Sequence, residues 1–215
     1  MRVAVFGAGG VGAYFGARLA EAGAELAVIA RGAHLDAIRA NGLRVDSVLG
    51  DMLVEPAIAS ASTADVGPVD VVLLGVKTWQ VAEAAQSLGP LLGPETLVVP
   101  LQNGVETIDE LRSTLGERHV AGGLCSGFCF IVAPGHVRHI GGVTFIKFGE
   151  LDGRRSARVA ALYDAFVRAR VDAVVPDDIR VGEGKALAEL ILGNWKNAPP
   201  DRRLLSENNS HGSVI

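Results

Sequence analysis

A glycine-spaced turn near the start of the chain is the first candidate for chemistry. Gly7-Ala8-Gly9-Gly10-Val11-Gly12 has the spacing G-x-G-x-x-G, which suits a pyrophosphate. Gly7 permits a tight turn, Gly9 lets the backbone approach the phosphates, and Gly12 allows a helix to pack closely on a strand. The N–H groups at the helix start then face the phosphate oxygens, favoured by the helix dipole. In a chain with 27 glycines the spacing alone carries little weight. Its context carries more. Residues 2–6 are an apolar run fit for a buried parallel strand, and residues 13–22 are rich in Ala and Leu and predict a helix ending at Gly23.

Four further polar residues stand at predicted strand exits or beyond. Residues 25–30 predict the second parallel strand, followed by Arg31. A site for NAD usually carries Asp or Glu here to hold the ribose 2′-hydroxyl. A guanidinium instead offers a planar fork of donors to a 2′-phosphate, so Arg31 points to NADP(H). Residues 69–76 predict a central strand, and Lys77 and Gln80 follow it. There an ammonium can neutralise phosphate and the amide can reach the adenosine end. Residues 96–101 predict another strand, leading into Gln102-Asn103-Gly104. The Asn103 amide can donate and accept toward a nicotinamide ribose or a keto acid. Beyond residue 179, Gly182-Glu-Gly-Lys185 is no phosphate loop, because the required upstream glycine and the following Ser or Thr are missing.

These elements predict an α/β fold: a doubly wound, mostly parallel Rossmann-type sheet over residues 1–178. Residues 33–40 predict a helix closed by Asn41-Gly42, and residues 43–48 and 52–58 a hairpin. Residues 81–88, 106–115 and 156–168 predict helices, and residues 119–132, 136–148 and 171–175 predict strands. Cys125 and Cys129 are expected on one face of one strand as buried, reduced thiols. His136 and His139 are expected on opposite sides of a hairpin and in solvent. Residues 179–215 read as a remnant of an interdomain helix and a disordered tail.

Composition removes other classes. The formal net charge is −4, with no basic stripe, which argues against nucleic acid. Apolar runs are too short to span a bilayer, and the glycine turn occupies the stretch a signal peptide would use. A cytoplasmic protein without a membrane partner is expected. With two cysteines and no His cluster, no metal site is predicted.

The ordered set Gly7-Ala-Gly-Gly-Val-Gly12, Ile29-Ala-Arg31-Gly32, Val76-Lys77-x-x-Gln80, Leu101-Gln-Asn103-Gly104, Gly122-Gly123, Pro134-Gly135 and Val175-Pro-Asp-Asp-Ile179 resembles the ketopantoate reductase (2-dehydropantoate 2-reductase) family. The resemblance runs to about Arg180. It implies an NADPH-binding Rossmann domain and a helical domain, with hydride passing to the ketone carbon of a 2-keto acid in the cleft between them. The substrate implied is ketopantoate, reduced to pantoate on the route to pantothenate and coenzyme A. Gly7, Gly9 and Gly12 would hold pyrophosphate, Arg31 and Lys77 the 2′-phosphate, and Asn103 would lie near nicotinamide and substrate. The family's proton-donating Lys sits in a Leu-Trp-x-Lys run, whereas this chain reads Val181-Gly-Glu-Gly-Lys185. Lys185 stands at nearly the right distance from Ile179 to be the general acid. The change of character after Arg180 reads as truncation or a disrupted frame. Weak or absent turnover and self-association into dimers or aggregates are then expected. An inactive NADP-binding module and a reductase of another 2-keto acid are the alternatives.

Overall fold

The computed structural model describes residues 1–102, 106–177 and 179. Asn103, Lys185 and the expected remnant and tail lie outside the described residues, apart from Ile179.

The first strand, β1 (Arg2–Phe6), runs into α1 (Gly10–Glu21), then β2 (Glu25–Ile29) and α2 (Gly32–Asn41). Helix α1 begins within the glycine turn rather than at residue 13. Next come β3 (Leu43–Ser47), β4 (Met52–Val54), β5 (Ile58–Ser60), β6 (Val69–Leu74), α3 (Val81–Ser87), β7 (Leu92–Pro100) and α4 (Glu106–Leu115). The chain goes on through β8 (Ala121–Ser126), β9 (Cys129–Ala133), β10 (His136–His139), β11 (Phe145–Glu150), α5 (Ala157–Arg168) and β12 (Asp172–Val174).

Five parallel strands form the central sheet in the order β5-β2-β1-β6-β7. The chain winds outward from β1 on one side and resumes at β6 on the other, so the strand order reverses between them, the crevice where such sheets take ligands. Side chains alternate across this sheet. Val3 and Val5 of β1, with Val28, Leu73 and Val99, join a core cluster with α1, α5 and the outer strands. Ala4 and Phe6, with Ile29, Leu74 and Val98, join a second cluster with α3 and α4. Both faces are covered, which is why the strands read as nearly continuous apolar runs.

A four-stranded sheet, β4-β3-β10-β9, packs over α1, and a three-stranded sheet, β12-β11-β8, continues beside β7 through a bridge of Val98 with Val120. The predicted second arm of the early hairpin is split. β4 pairs antiparallel with β3, while β5 leaves that sheet and pairs parallel with β2. Pro56 lies between the two pieces and cannot donate to a strand ladder. Ser156 caps α5 by accepting from the Val159 N–H at 3.3 Å. Just beyond the cap, Arg158 pairs bidentately with the buried Glu150, two contacts of 2.8 Å. Burial alone would push the Glu150 carboxyl up, but the bonds from Arg158 and Ser156 outweigh it and hold it below the usual range.

Two expectations are corrected. Cys125 and Cys129 lie on different strands, β8 and β9, because the chain turns between them. Cys125 is buried and Cys129 half-buried, both are free thiols, and burial pushes each up to about 12. His139 is not in solvent. It is 1% exposed, stacks on Tyr14 with centroids 4.4 Å apart, and bonds Ser47 Oγ and Thr144 Oγ1, each at 2.8 Å. Alternation along β10 carries it inward. His136 is half-buried and meets Asp46 at 2.8 Å.

In the predicted strand at residues 171–175, Val171 is buried and Val174 is 39% exposed. A larger exposed apolar run lies on the edge strand β9, at Phe130, Ile131 and Val132.

Candidate functional site

The carboxyl ends of β2, β1, β6 and β7 stand side by side, and most candidate residues stand at these exits. The glycine turn follows β1. Its first member, Gly7, has φ of +88°, and its N–H donates to the Ile29 carbonyl of β2 at 3.1 Å. A Cβ there would lie 2.9 Å from Gly75 and Val76.

The other glycines of the turn divide by what they face. A Cβ on Gly12 would lie 2.6 Å from the Gly7 carbonyl oxygen and 3.1 Å from Val5, so the helix touches the strand, as the spacing predicts. A Cβ on Gly10 would lie 2.2 Å from the Cys129 carbonyl oxygen. Gly10 is therefore pressed against β9, and its side-chain position points away from any ligand at the turn. Gly9 differs. It has ordinary extended backbone, φ of −68°, and the nearest atom to its missing Cβ is the Gly75 carbonyl oxygen at 3.9 Å. The space over Gly9 is the opening a pyrophosphate would fill. Ala8 is buried and Val11 half-buried, packed on the core. The N-terminus of α1 has no side-chain cap and no acidic residue in its first turn, so nothing competes there with an anion.

Arg31 caps the start of α2 in extended backbone, and its side chain is exposed. Among the described residues it makes no ion pair. No carboxylate stands at the end of β2, where Ala30 is buried.

Lys77 follows β6 and Gly75-Val76. It is half-buried and opens a single 3-10 turn in which the Gln80 N–H donates to the Lys77 carbonyl at 2.8 Å. Gln80 is exposed, and its side-chain oxygen accepts from the Lys77 N–H at 3.2 Å. Gln80 thus braces the turn that carries Lys77. Next to it Trp79 is 73% exposed.

Three residues of the site escaped the sequence reading. Gly75 packs against the glycine turn, since a Cβ on it would lie 2.6 Å from the Gly7 carbonyl oxygen. A glycine inside an apolar strand run was the available signal. Gln102, 2% exposed, donates from Nε2 to the carbonyls of Leu74 and Val76, at 2.9 and 2.6 Å, and so ties the exit of β7 to the exit of β6. His34, in the first turn of α2, accepts at Nδ1 from the Gly135 N–H at 3.0 Å. Nothing in the local sequence announced that contact.

Among the described residues no group of His, Cys, Asp or Glu is arranged to hold a metal, and no helix is long and apolar enough to cross a membrane. The arrangement offers a backbone cradle for a pyrophosphate and two cations at strand exits on either side of it.

Residues 3–153 match the family described as ketopantoate reductase PanE/ApbA. A 2-dehydropantoate 2-reductase of Mesorhizobium japonicum is 37% identical over 201 residues, covering 84% of this chain and 61% of the relative. The crystal structure of 2-dehydropantoate 2-reductase from Porphyromonas gingivalis superposes with a TM-score of 0.78 at 33% identity, covering 83% of this chain and 65% of that one. A PanE/ApbA family ketopantoate reductase from Ralstonia eutropha gives 0.76 at 37% identity, over 85% of this chain and 59% of that one. The chain thus spans about six-tenths of the length of these relatives.

Proposed function

The chain belongs to the ketopantoate reductase PanE/ApbA family, and on that premise we propose that it carries the NADPH-binding half of a 2-keto acid reductase whose substrate is ketopantoate and whose product is pantoate. The observation that carries the cofactor reading is the pairing of an open Gly9 cradle with Arg31 at the exit of the neighbouring strand, where no acid stands. Gly7, Gly9 and Gly12 shape the turn for the pyrophosphate, and the N–H groups at the start of α1 donate to it. Arg31 and Lys77 bind the 2′-phosphate by charge-assisted bonds. The bound cofactor supplies a hydride.

The remaining roles fall to residues outside those described. Asn103, one residue past the buried Gln102, orients nicotinamide and substrate. Lys185 gives a proton to the oxygen that was the ketone. With a proton on oxygen from Lys185, a ketone that took up the cofactor's hydride would become a secondary alcohol.

Two measurements test this reading. Titration with NADPH and NADH, followed by quenching of the exposed Trp79, should give tighter binding for NADPH. Equal affinities would remove the 2′-phosphate assignment. NADPH oxidation should then depend on added ketopantoate and fall in Lys185→Ala. A rate independent of ketopantoate would remove the substrate, and an unchanged rate in the variant would remove Lys185 as the acid.

A further inference from the structure

The ladder between β6 and β7 closes with the Leu101 N–H on the Leu74 carbonyl at 3.0 Å. Beyond it a side chain carries the connection. Gln102 is buried, and its Nε2 donates to the Leu74 carbonyl at 2.9 Å and to the Val76 carbonyl at 2.6 Å. Two acceptors can be met only by the nitrogen end of an amide, and they take both of its hydrogens. The Val76 carbonyl and the Lys77 N–H belong to one planar peptide unit and point to opposite sides of the chain. The Lys77 N–H donates to the Gln80 side-chain oxygen at 3.2 Å. The peptide leading into Lys77 is therefore gripped on both edges, by a buried amide at the exit of β7 and by an exposed amide of its own turn. The residue before it is fixed as well, because the Gly75 N–H donates to the Phe6 carbonyl of β1 at 2.8 Å. A peptide plane held in this way sets the direction in which the next Cα–Cβ bond leaves the chain.

We propose that Gln102 is a positioning residue for the cofactor's 2′-phosphate, acting through Lys77. It sets the backbone from which the ammonium reaches the phosphate and does not touch the cofactor itself. This rests on the NADPH reading above. The Gln80 brace is exposed, where water competes for an amide, whereas the Gln102 bonds are buried, where it does not. Without the Gln102 amide, the Val76 carbonyl must turn to find another donor, and Lys77 turns with it. A lysine stem is long and flexible, so a turned backbone weakens the phosphate contact and does not abolish it. The effect of Gln102 is therefore bounded by the whole contribution of the ammonium.

The test is the ratio of NADPH to NADH affinity at low salt in the unaltered chain, Gln102→Met, Lys77→Ala and the variant carrying both changes. Met keeps the length of the side chain and removes both donors. The preference for NADPH should fall about two- to fivefold in Lys77→Ala and about twofold in Gln102→Met, the scale of an exposed ion pair. In the double variant it should fall no further than in Lys77→Ala alone, because both changes act on one contact. A role in stability alone would lower the two affinities together and leave their ratio in place. Gln102→Asn keeps an amide one methylene short of the two carbonyls. It should behave as Met does, and it decides the outcome where Met does not fold. An unchanged preference in the folded Gln102 variant, or an equal fall with and without Lys77, would overturn the proposal while leaving the NADPH reading intact. Absence of any preference for NADPH in the unaltered chain would overturn both.

Discussion

The turn after β1 and the turn after β6 leave the same sheet edge on adjacent strands, yet they are built in opposite ways. The first works by side chains that are missing. Gly7, Gly10 and Gly12 lie so close to other backbone that a Cβ would clash at 2.9, 2.2 and 2.6 Å. What remains is open space over Gly9, beside a helix start that no side chain caps. The second works by side chains that are present, a half-buried Lys77 on a turn braced by Gln80. The two turns touch at Gly75, which packs on Gly7 and Gly12. A backbone cradle is set by packing and is hard to alter without altering the fold. A cation on a short turn can be removed with little structural consequence. The first should therefore be broken by adding atoms and the second by deleting them.

The largest effect should come from adding atoms to the glycine turn, and two positions within it divide fold from binding. In Gly10→Ala the new methyl meets the Cys129 carbonyl, which belongs to a strand and cannot swing aside. A loss of about 1–3 kcal/mol of stability or more is expected, as for overpacked cores, read as a lower urea midpoint. In Gly9→Val the side chain enters open space on ordinary backbone. Stability should stay within about 0.5 kcal/mol, as for surface substitutions, while NADPH binding is lost. If Gly9→Val bound NADPH normally, the opening over Gly9 would not be the cradle. If Gly10→Ala were as stable as the unaltered chain, the packing against β9 would not be as tight as described.

The same contrast explains what could be read from the sequence. The glycine turn was legible because its requirements are local: strand, spacing and helix occur within the first 21 residues. The alternating strands and Arg31 at the end of β2 were legible for the same reason. His34 and His139 were not. His34 finds Gly135 across 101 positions of sequence, and His139 finds Ser47 across 92. Neither partner is marked by a local pattern, since each depends on how the four-stranded sheet lies over α1 and α2. The two cysteines fall on different strands because the chain turns at Gly127-Phe128, within a stretch whose β-rich composition does not announce a break. The early hairpin was half right, because a short strand does not reveal which sheet it joins.

Arg31→Ala comes next in size and separates the 2′-phosphate from the rest of the cofactor. Arg31 is exposed and makes no ion pair among the described residues, so the fold should not change. NADPH affinity should fall by about 1–3 kcal/mol, the worth of a hydrogen bond to a charged group, while NADH affinity should hardly move. Equal losses for both cofactors would mean that Arg31 acts on the helix start and not on the phosphate.

Lys77→Ala should have the smallest effect, and its salt dependence is the informative part. Lys77 is half-buried on a single 3-10 turn whose bracing bonds use backbone atoms and the Gln80 amide, not the ammonium. Removing the ammonium leaves that brace in place, so the melting temperature should be unchanged. An ammonium is a strongly hydrated point charge on a flexible stem, without the planar fork that Arg31 offers. Its contribution to NADPH binding should be about 0.5–1 kcal/mol at low salt, the scale of an exposed ion pair, and smaller for NADH. At about 0.15 M salt the Debye length is about 8 Å, and the difference between Lys77→Ala and the unaltered chain should shrink. The Gly9→Val defect should not shrink with salt, because it is steric. A Lys77→Ala defect that is large and independent of salt would show that this turn, like the glycine turn, acts by shape, and the contrast between the two would fail.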